Sequence, residues 1–279
     1  MRRRRSRFEL KSLDDFQLMR RAGLVVADAL SAMTEAARAG VSTADLDSIA
    51  QGVLRTAGAR SSFLGYDVGN GPYPGVICSS INDRVVHGIP ADSDVLTDGD
   101  VISIDFGAIV EGWHGDAAVT VRIGDVAPDV ADLDDACRRS LWDGLAAAHV
   151  GAQLGDVSAR IEESITSSGS YGIVEGFGGH GIGTSMHMDP HILNYGHPGT
   201  GPELVAGMAL AIEPMLTLGD PAIRELADGW TIVTEDGSTA VHWEHTVALL
   251  EDGPWVLTAQ DGGRAELGER GVGLSAVAG

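Results

Sequence analysis

The chain has 279 residues and a formal net charge of −21, with Lys11 as its only lysine. That length suits one large domain with a substantial core, and no Pro/Ser/Gly-rich linker divides it. The acidity argues against nucleic acid as a partner, because phosphate binding needs a basic surface; it reads most simply as a solvated acidic surface.

The start, Met1 to Arg5, is basic, but no apolar stretch follows it, so export is not expected. No run reaches the roughly 18 uninterrupted apolar residues that a bilayer span requires. Residues 1–11 read as a basic tail, either disordered or docking on ribosomal RNA. Ser12 with Asp15 forms a capping pair for a helix to about Ala39, where Gly40 stops it. A second helix fits Thr43 to Thr56. Strands follow at Val76–Ser80, Val101–Ala108 and Asp116–Ile123, then a long helix over Asp129–His149 and a short one over Asp156–Thr166. Strand patterns return at Ala209–Ile212, Trp230–Val233 and His242–Leu250. Residues 261–279, rich in Gly and Ala, read as a flexible tail. The two cysteines, Cys78 and Cys137, are too few for a disulfide framework and suit a reducing cytosol.

A faint repeat runs through this order. A shift of 111 residues lays Gly40 on Gly151, Asp45 on Asp156, Leu54 on Ile165 and Gly58 on Gly169. It suggests two similar αβ halves around a shared sheet, with a site where they meet.

The chemistry-bearing residues lie in apolar surroundings. Asp105 sits inside Val101-Ile-Ser-Ile-Asp-Phe-Gly107, and a buried carboxylate is costly unless it is paired or binds a metal. Asp116 lies across a short Gly-containing turn, so a hairpin brings the two acids together. A shared cation relieves their repulsion; a turn cap and an Arg pair are the alternative. Gly176-Phe-Gly-Gly-His-Gly-Ile-Gly183 matches the dinucleotide glycine pattern literally, but no helix follows it. It reads better as a backbone free to bend and approach closely while presenting His180 and His187; a purely structural His180 stays open. Glu213 closes the apolar run Met208–Ile212 before Pro214, and Glu244 lies in His242-Trp-Glu-His-Thr-Val247. Four strand-borne acids and one imidazole form an oxygen-rich set that suits Mn²⁺, Co²⁺ or Fe²⁺ at least as well as Zn²⁺. Carboxylates in this number can bridge two ions, and the natural use of such a pair is hydrolysis.

Val86-His-Gly-Ile-Pro90, Ser103-Ile-Asp-Phe-Gly107, Gly112-Trp-His-Gly-Asp116, Gly179-His-Gly-Ile-Gly183, Ile212-Glu-Pro-Met215 and Trp243-Glu-His245 follow one another in an order and spacing that resembles the type I methionine aminopeptidases. The likeness runs from about Glu9 to Gln260. It implies the α/β (α+β) pita-bread fold, two pseudo-symmetric halves with a curved antiparallel sheet covered by helices, as a single catalytic domain over residues 12–260. It implies two divalent ions (Co, Mn, Fe or Zn) held by Asp105, Asp116, His180, Glu213 and Glu244, with Glu213 also taking the proton of the attacking water. His87 would contact the scissile amide nitrogen and His187 the oxyanion. Phe63, Tyr66, Tyr73, Cys78, Met186 and Trp230 would line the methionine pocket, with Phe63 and Met186 standing where the family commonly has Cys and Phe. The Asp67–Pro72 stretch between the two tyrosines is longer than the family's. The implied activity is removal of Met from nascent chains whose second residue is small, in the cytoplasm, near the ribosome, by a monomer. Prolidase and aminopeptidase P share the implied fold but usually carry an additional N-terminal domain. A non-catalytic binding protein on this fold is expected to have lost ligands, and none is lost here.

Overall fold

The computed structural model describes residues 8–278; the Arg2–Arg5 cluster lies outside the described residues. Helix α1 (Leu13–Ala36) starts at Ser12 and α2 (Thr43–Ala57) at Ser42. Each serine and the aspartate three residues on, Asp15 or Asp45, satisfy each other's backbone N–H groups in a capping box. Gly58, at φ 63°, ends α2 in the left-handed conformation that glycine adopts without strain. In the second half α3 (Pro128–Ala147) begins with proline, whose missing N–H is no loss there. Helix α4 (Leu154–Ser168) follows it. Both α2 and α4 have 15 residues, and they start at Thr43 and Leu154, the offset of the sequence repeat. The residues before them, Ser42 and Gln153, make matching isolated bridges to Val95 and Glu203.

Val101–Val110 and Trp113–Arg122 form an unbroken antiparallel hairpin, and Cys78–Ile81 pairs with the other edge of its first strand. α1 and α2 cover this sheet through Val26, Leu30, Met33, Leu46, Ile102, Ile104 and Phe106. The second half holds a five-stranded sheet ordered Gly253–Val256, His245–Leu250, Ala209–Ile212, Gly179–Gly181, Met188–Ile192. There α3 and α4 pack Leu141, Leu145, Val157 and Ile161 against Leu210, Ile212 and Val247. Each such fully buried aliphatic side chain contributes about 1.5–3 kcal/mol.

Two smaller sheets complete the frame, Ala240–His242 with Met215–Thr217 and Gly172–Ile173, and Ile223–Glu225 with Ile232–Thr234 and Arg84–Val86. The first of these makes a joint with the five-stranded sheet. Ala209–Ile212 and Met215–Thr217 belong to different sheets, separated only by Glu213-Pro214, and Ala240–His242 and His245–Leu250 are separated only by Trp243-Glu244. The pairs Ile212–His245 and Met215–His242 set these two breaks side by side. Proline cannot donate to a ladder, which explains a break at Pro214.

The chain departs from the sequence expectations at both ends. The segment expected to be a flexible tail forms a short helix, α5 (Arg264–Glu269). Leu267 of that helix is fully buried, and Arg270 pairs with Asp143 of α3. At the other end residues 8–11 are part of the packed body: the Lys11 N–H donates to Gly207 O, and its buried ammonium pairs with Glu9. The run His242–Leu250 is two strands, and the strand expected over Trp230–Val233 starts at Ile232. Among the described residues no helix is long and apolar enough to cross a membrane.

Candidate active site

The hairpin supplies two carboxylates. Asp105 lies opposite Ala118 and Asp116 opposite Gly107, so the two acids are diagonal neighbours on one face. The joint between the sheets supplies two more. Glu213 and Glu244 occupy the side-by-side breaks, and their backbones are held from elsewhere. Asn194 Nδ2 donates to Glu213 O, and Glu244 exchanges backbone hydrogen bonds with Ala118 of the hairpin. Thr246 Oγ1 adds a second tie by donating to Asp116 O.

His180 comes from Gly179–Gly181, at a register shift between that strand and Met188–Ile192. The glycines allow close backbone approach: a Cβ at Gly179 would collide with Ala211 O, and one at Gly181 with Asp189 O. This is the close-approach role expected of the segment, without any dinucleotide-type helix. His180 Nδ1 lies 3.0 Å from Gly181 O. A carbonyl only accepts, so Nδ1 carries the proton and Nε2 turns its lone pair into the cavity.

Ligand atoms of Asp116, His180 and Glu244 lie within 4.8 Å of one another. Asp105 Oδ1, Asp116 Oδ1 and Glu244 Oε1 are buried without a hydrogen-bond partner in the protein. Burial drives the acids towards protonation: Asp105, Glu213 and Glu244 are raised well above the carboxylate range, mutual repulsion adding to the desolvation, and desolvation lifts Asp116 to about 7. Buried acids with orphaned oxygens beside an imidazole lone pair are what a divalent cation requires, and the donor set fits one.

Around this cluster a cavity of about 370 Å³ brings together every residue singled out from the sequence, within the range of small-molecule sites. His187 stacks edge-on to His180 at 4.4 Å, and Tyr66 Oη holds its Nδ1 at 2.7 Å. His87, at φ 59°, sits in the left-handed region that a non-glycine residue rarely adopts, at the end of Arg84–Val86. Burial pushes its pKa down to about 4 and keeps it neutral. Phe63, Tyr73, Cys78, Met186 and Trp230 form a separate apolar cluster at the cavity wall. The long 67–72 stretch leaves that wall intact: Tyr66 and Tyr73 pair through their backbones at its base, and Val68 and Asn70 add to the cavity lining. Asn70 Nδ2 then ties the loop to Gly229 O at 2.7 Å.

The profile of metallopeptidase family M24 matches residues 17–251. The chain belongs to that family. It is 52% identical over 253 residues to methionine aminopeptidase 1 of Mycobacterium tuberculosis, covering 89% of this chain and 94% of the relative. It is 45% identical over 249 residues to the methionine aminopeptidase of Clostridium acetobutylicum, covering 89% and 98%. Methionine aminopeptidase from Thermotoga maritima superposes with a TM-score of 0.87 at 37% identity, covering 91% of this chain and all of that one. The M24 member described here therefore has the pita-bread fold, and its two pseudo-symmetric halves are the two helix pairs with their sheets.

Four polar residues of the cavity, Asn70, His191, Glu225 and His242, were not singled out from the sequence, and of these only His242 is buried. His242 lines it and is 2% exposed. Strand alternation was the available signal, since residues i and i+2 share a face and His242 precedes Glu244 by two.

Proposed function

We propose that this M24 metallopeptidase is a methionine aminopeptidase that removes the N-terminal Met from peptides and nascent chains with a small second residue. The convergence of four carboxylates and His180 with the apolar Phe63–Tyr73–Cys78–Met186–Trp230 wall, in one cavity, carries this reading. Asp105, Asp116, His180, Glu213 and Glu244 would hold the divalent metal, as a pair of ions. When bound, the metal supplies Lewis acidity at the scissile carbonyl and acidifies water.

The remaining steps belong to the chain. The apolar wall takes the methionine side chain, and Met186 and Cys78 give it soft, polarisable contacts for a thioether. Glu213, at the joint, accepts the proton of the attacking water. His187, fixed by Tyr66, donates to the oxygen on which negative charge develops. His87, held neutral by burial, contacts the amide nitrogen that leaves as an amine. The wall fixes the substrate's first residue, so the scissile bond is placed beside the acids. The enzyme would work as a monomer in the cytosol, where the two free cysteines, both buried, stay reduced. The Arg2–Arg5 tail would help it meet nascent chains at the ribosome.

The test is release of free Met by metal-stripped protein with Co²⁺, Mn²⁺, Fe²⁺ or Zn²⁺ restored, from Met-Ala-Ser and Met-Lys-Ser. Metal-dependent release from the first alone is expected. Release from Met-Lys-Ser at equal or greater rate would overturn the small-residue rule, and no release with any metal would overturn the activity.

A further inference from the structure

His242 is left without a task by the reaction just described, yet its position is tightly specified. Its backbone is clamped by the opposite half of the molecule. The N–H donates to Ser103 Oγ at 3.0 Å, and the carbonyl accepts from Thr120 Oγ1 at 2.9 Å. Those two hydroxyls, themselves 2.9 Å apart, belong to the hairpin that carries Asp105 and Asp116. The ring therefore points into the cavity from an anchored main chain. Its Nε2 is buried and has no hydrogen-bond partner in the protein, an unfavourable arrangement for a polar atom.

The acceptor Nε2 faces is Glu213 Oε2, 3.7 Å away. The other oxygen of the same carboxylate, Oε1, lies 3.5 Å from His180 Nε2. The two oxygens are thus differentiated. His180 Nε2 presents a lone pair, so Oε1 and that nitrogen share the side where a cation fits. An Nε2–H tautomer of His242 offers Oε2 a donor. The 3.7 Å separation exceeds a hydrogen bond, and a carboxylate shift of under about 1 Å closes it; catalytic contacts are commonly long before ligands bind.

We propose that His242 is a positioning residue for Glu213: its neutral imidazole donates from Nε2 to Oε2 and fixes the carboxylate orientation that leaves Oε1 free for the metal site. Outer groups that orient a ligand in this way typically control metal affinity or activity by about 10–100-fold. The proposal rests on the reading of Glu213 as a metal ligand and proton acceptor.

The experiment compares His242→Gln, whose amide N–H reaches about as far as Nε2, with His242→Asn, whose amide is one methylene short. Mn²⁺ affinity of the metal-stripped proteins is measured by calorimetry, and kcat and KM on Met-Ala-Ser with Mn²⁺ restored. H242N is expected to bind Mn²⁺ about 10-fold more weakly and to lose kcat with KM unchanged, while H242Q stays within about 3-fold of the parent in both. Equal behaviour of the two variants would overturn the proposal, as would a change confined to KM, which would make His242 a wall of the substrate pocket. Glu213→Gln separates the two levels. If E213Q loses Mn²⁺ affinity and H242N does not, only the His242 proposal fails. If E213Q keeps parental affinity, the reading of Glu213 falls and the proposal with it.

Discussion

The two halves repeat one helical frame and hold their share of the cavity in different ways. In the first half Asp105 and Asp116 ride on regular ten-residue strands, paired along their whole length from Val101–Arg122 to Val110–Trp113. In the second half the two acids of the buried cluster sit outside any ladder. Glu213 and Glu244 occupy breaks where strands change sheets, and His180 sits at a register shift. The hairpin is a platform whose geometry the backbone hydrogen bonds guarantee. The joint depends on ties from outside, and several come from the platform: Ala118 to Glu244, Asp116 to Thr246, and Ser103 and Thr120 to His242. Placing one regular and one irregular element face to face brings four acids together without demanding that both sheets deform.

The severest test of this comparison removes one ligand from each side without changing shape. Asp116→Asn and Glu244→Gln are each expected to abolish tight Mn²⁺ binding in calorimetry and to lower kcat/KM on Met-Ala-Ser by about 10³-fold or more, several kcal/mol of transition-state stabilisation. Equal losses mark one shared site. A variant that loses activity on one side only would split the cluster into a working half and a supporting half.

Next in size are the accessory histidines. His187→Ala and His87→Ala are expected to cost about 10²–10³-fold in kcat and to leave Mn²⁺ affinity near the parent's, because neither ring belongs to the acid cluster. Loss of Mn²⁺ binding in either variant would move that histidine into the metal site.

How much of this was legible in the sequence follows the same division. Asp105 and Glu213 stood out because each is a single acid in an apolar run, where burial without a partner is prohibitive; Asp116 stood out through the hairpin that brings it to Asp105, and Glu244 as an acid on a strand. The hairpin was legible too, since its pairing partners are adjacent in sequence. The joint was not. His242–Leu250 alternates well enough to read as one strand, and the change of sheet at Trp243-Glu244 leaves no local signal. Arg84–Val86 is three residues, too short for periodicity, and exists because it finds Ile232–Thr234 across the chain. The end of the chain misled for a related reason. Its glycines suggested fraying, while Leu267 and Arg270 are fixed by contacts with α3 and the core that only the fold supplies.

A smaller effect concerns charge. The raised carboxylates and the lowered histidines act on stability with opposite signs. An acid whose folded pKa lies above its unfolded value stabilises the fold below the unfolded value and loses that contribution as pH rises through the folded one. Asp116, at about 7, and the three acids raised further do this. His180 and His242, pushed by burial down to about 3, and His87, His114 and His245, down to about 4, oppose folding below about 6.5 and add little above it. Above pH 7 the histidines no longer contribute, and the acids, joined towards pH 8.5 by the buried thiols Cys78 and Cys137, whose pKa values burial also raises, act in one direction. The Tm of metal-stripped protein is therefore expected to fall between about pH 7 and pH 8.5, and excess Mn²⁺ to flatten the fall by binding the ionised acids of the folded state only. A flat profile without metal would show that burial does not hold these acids protonated in the folded state.

The smallest expected effect falls on the frame the halves share. α2 and α4 start at equivalent positions but are capped unequally. At Ser42 the hydroxyl accepts from the Asp45 N–H at 3.1 Å, while the Asp45 carboxylate accepts from the Ser42 N–H and hydroxyl. At Gln153 the N–H donates to the Asp156 carboxylate and the Asp156 N–H donates to Gln153 O, both backbone contacts that any non-proline residue at position 153 can make. Ser42→Ala therefore exposes an orphan donor and is expected to cost about 1 kcal/mol, roughly 2 °C in Tm for a chain of this size. Gln153→Ala leaves the Asp156 contact in place and is expected to shift Tm by less than half as much. Thermal melts of the two variants, with Mn²⁺ present to hold the cavity constant, decide it. An equal cost would mean that the long Gln153 side chain packs or bonds in a way its backbone role does not require, and that the halves share their caps as well as their helices.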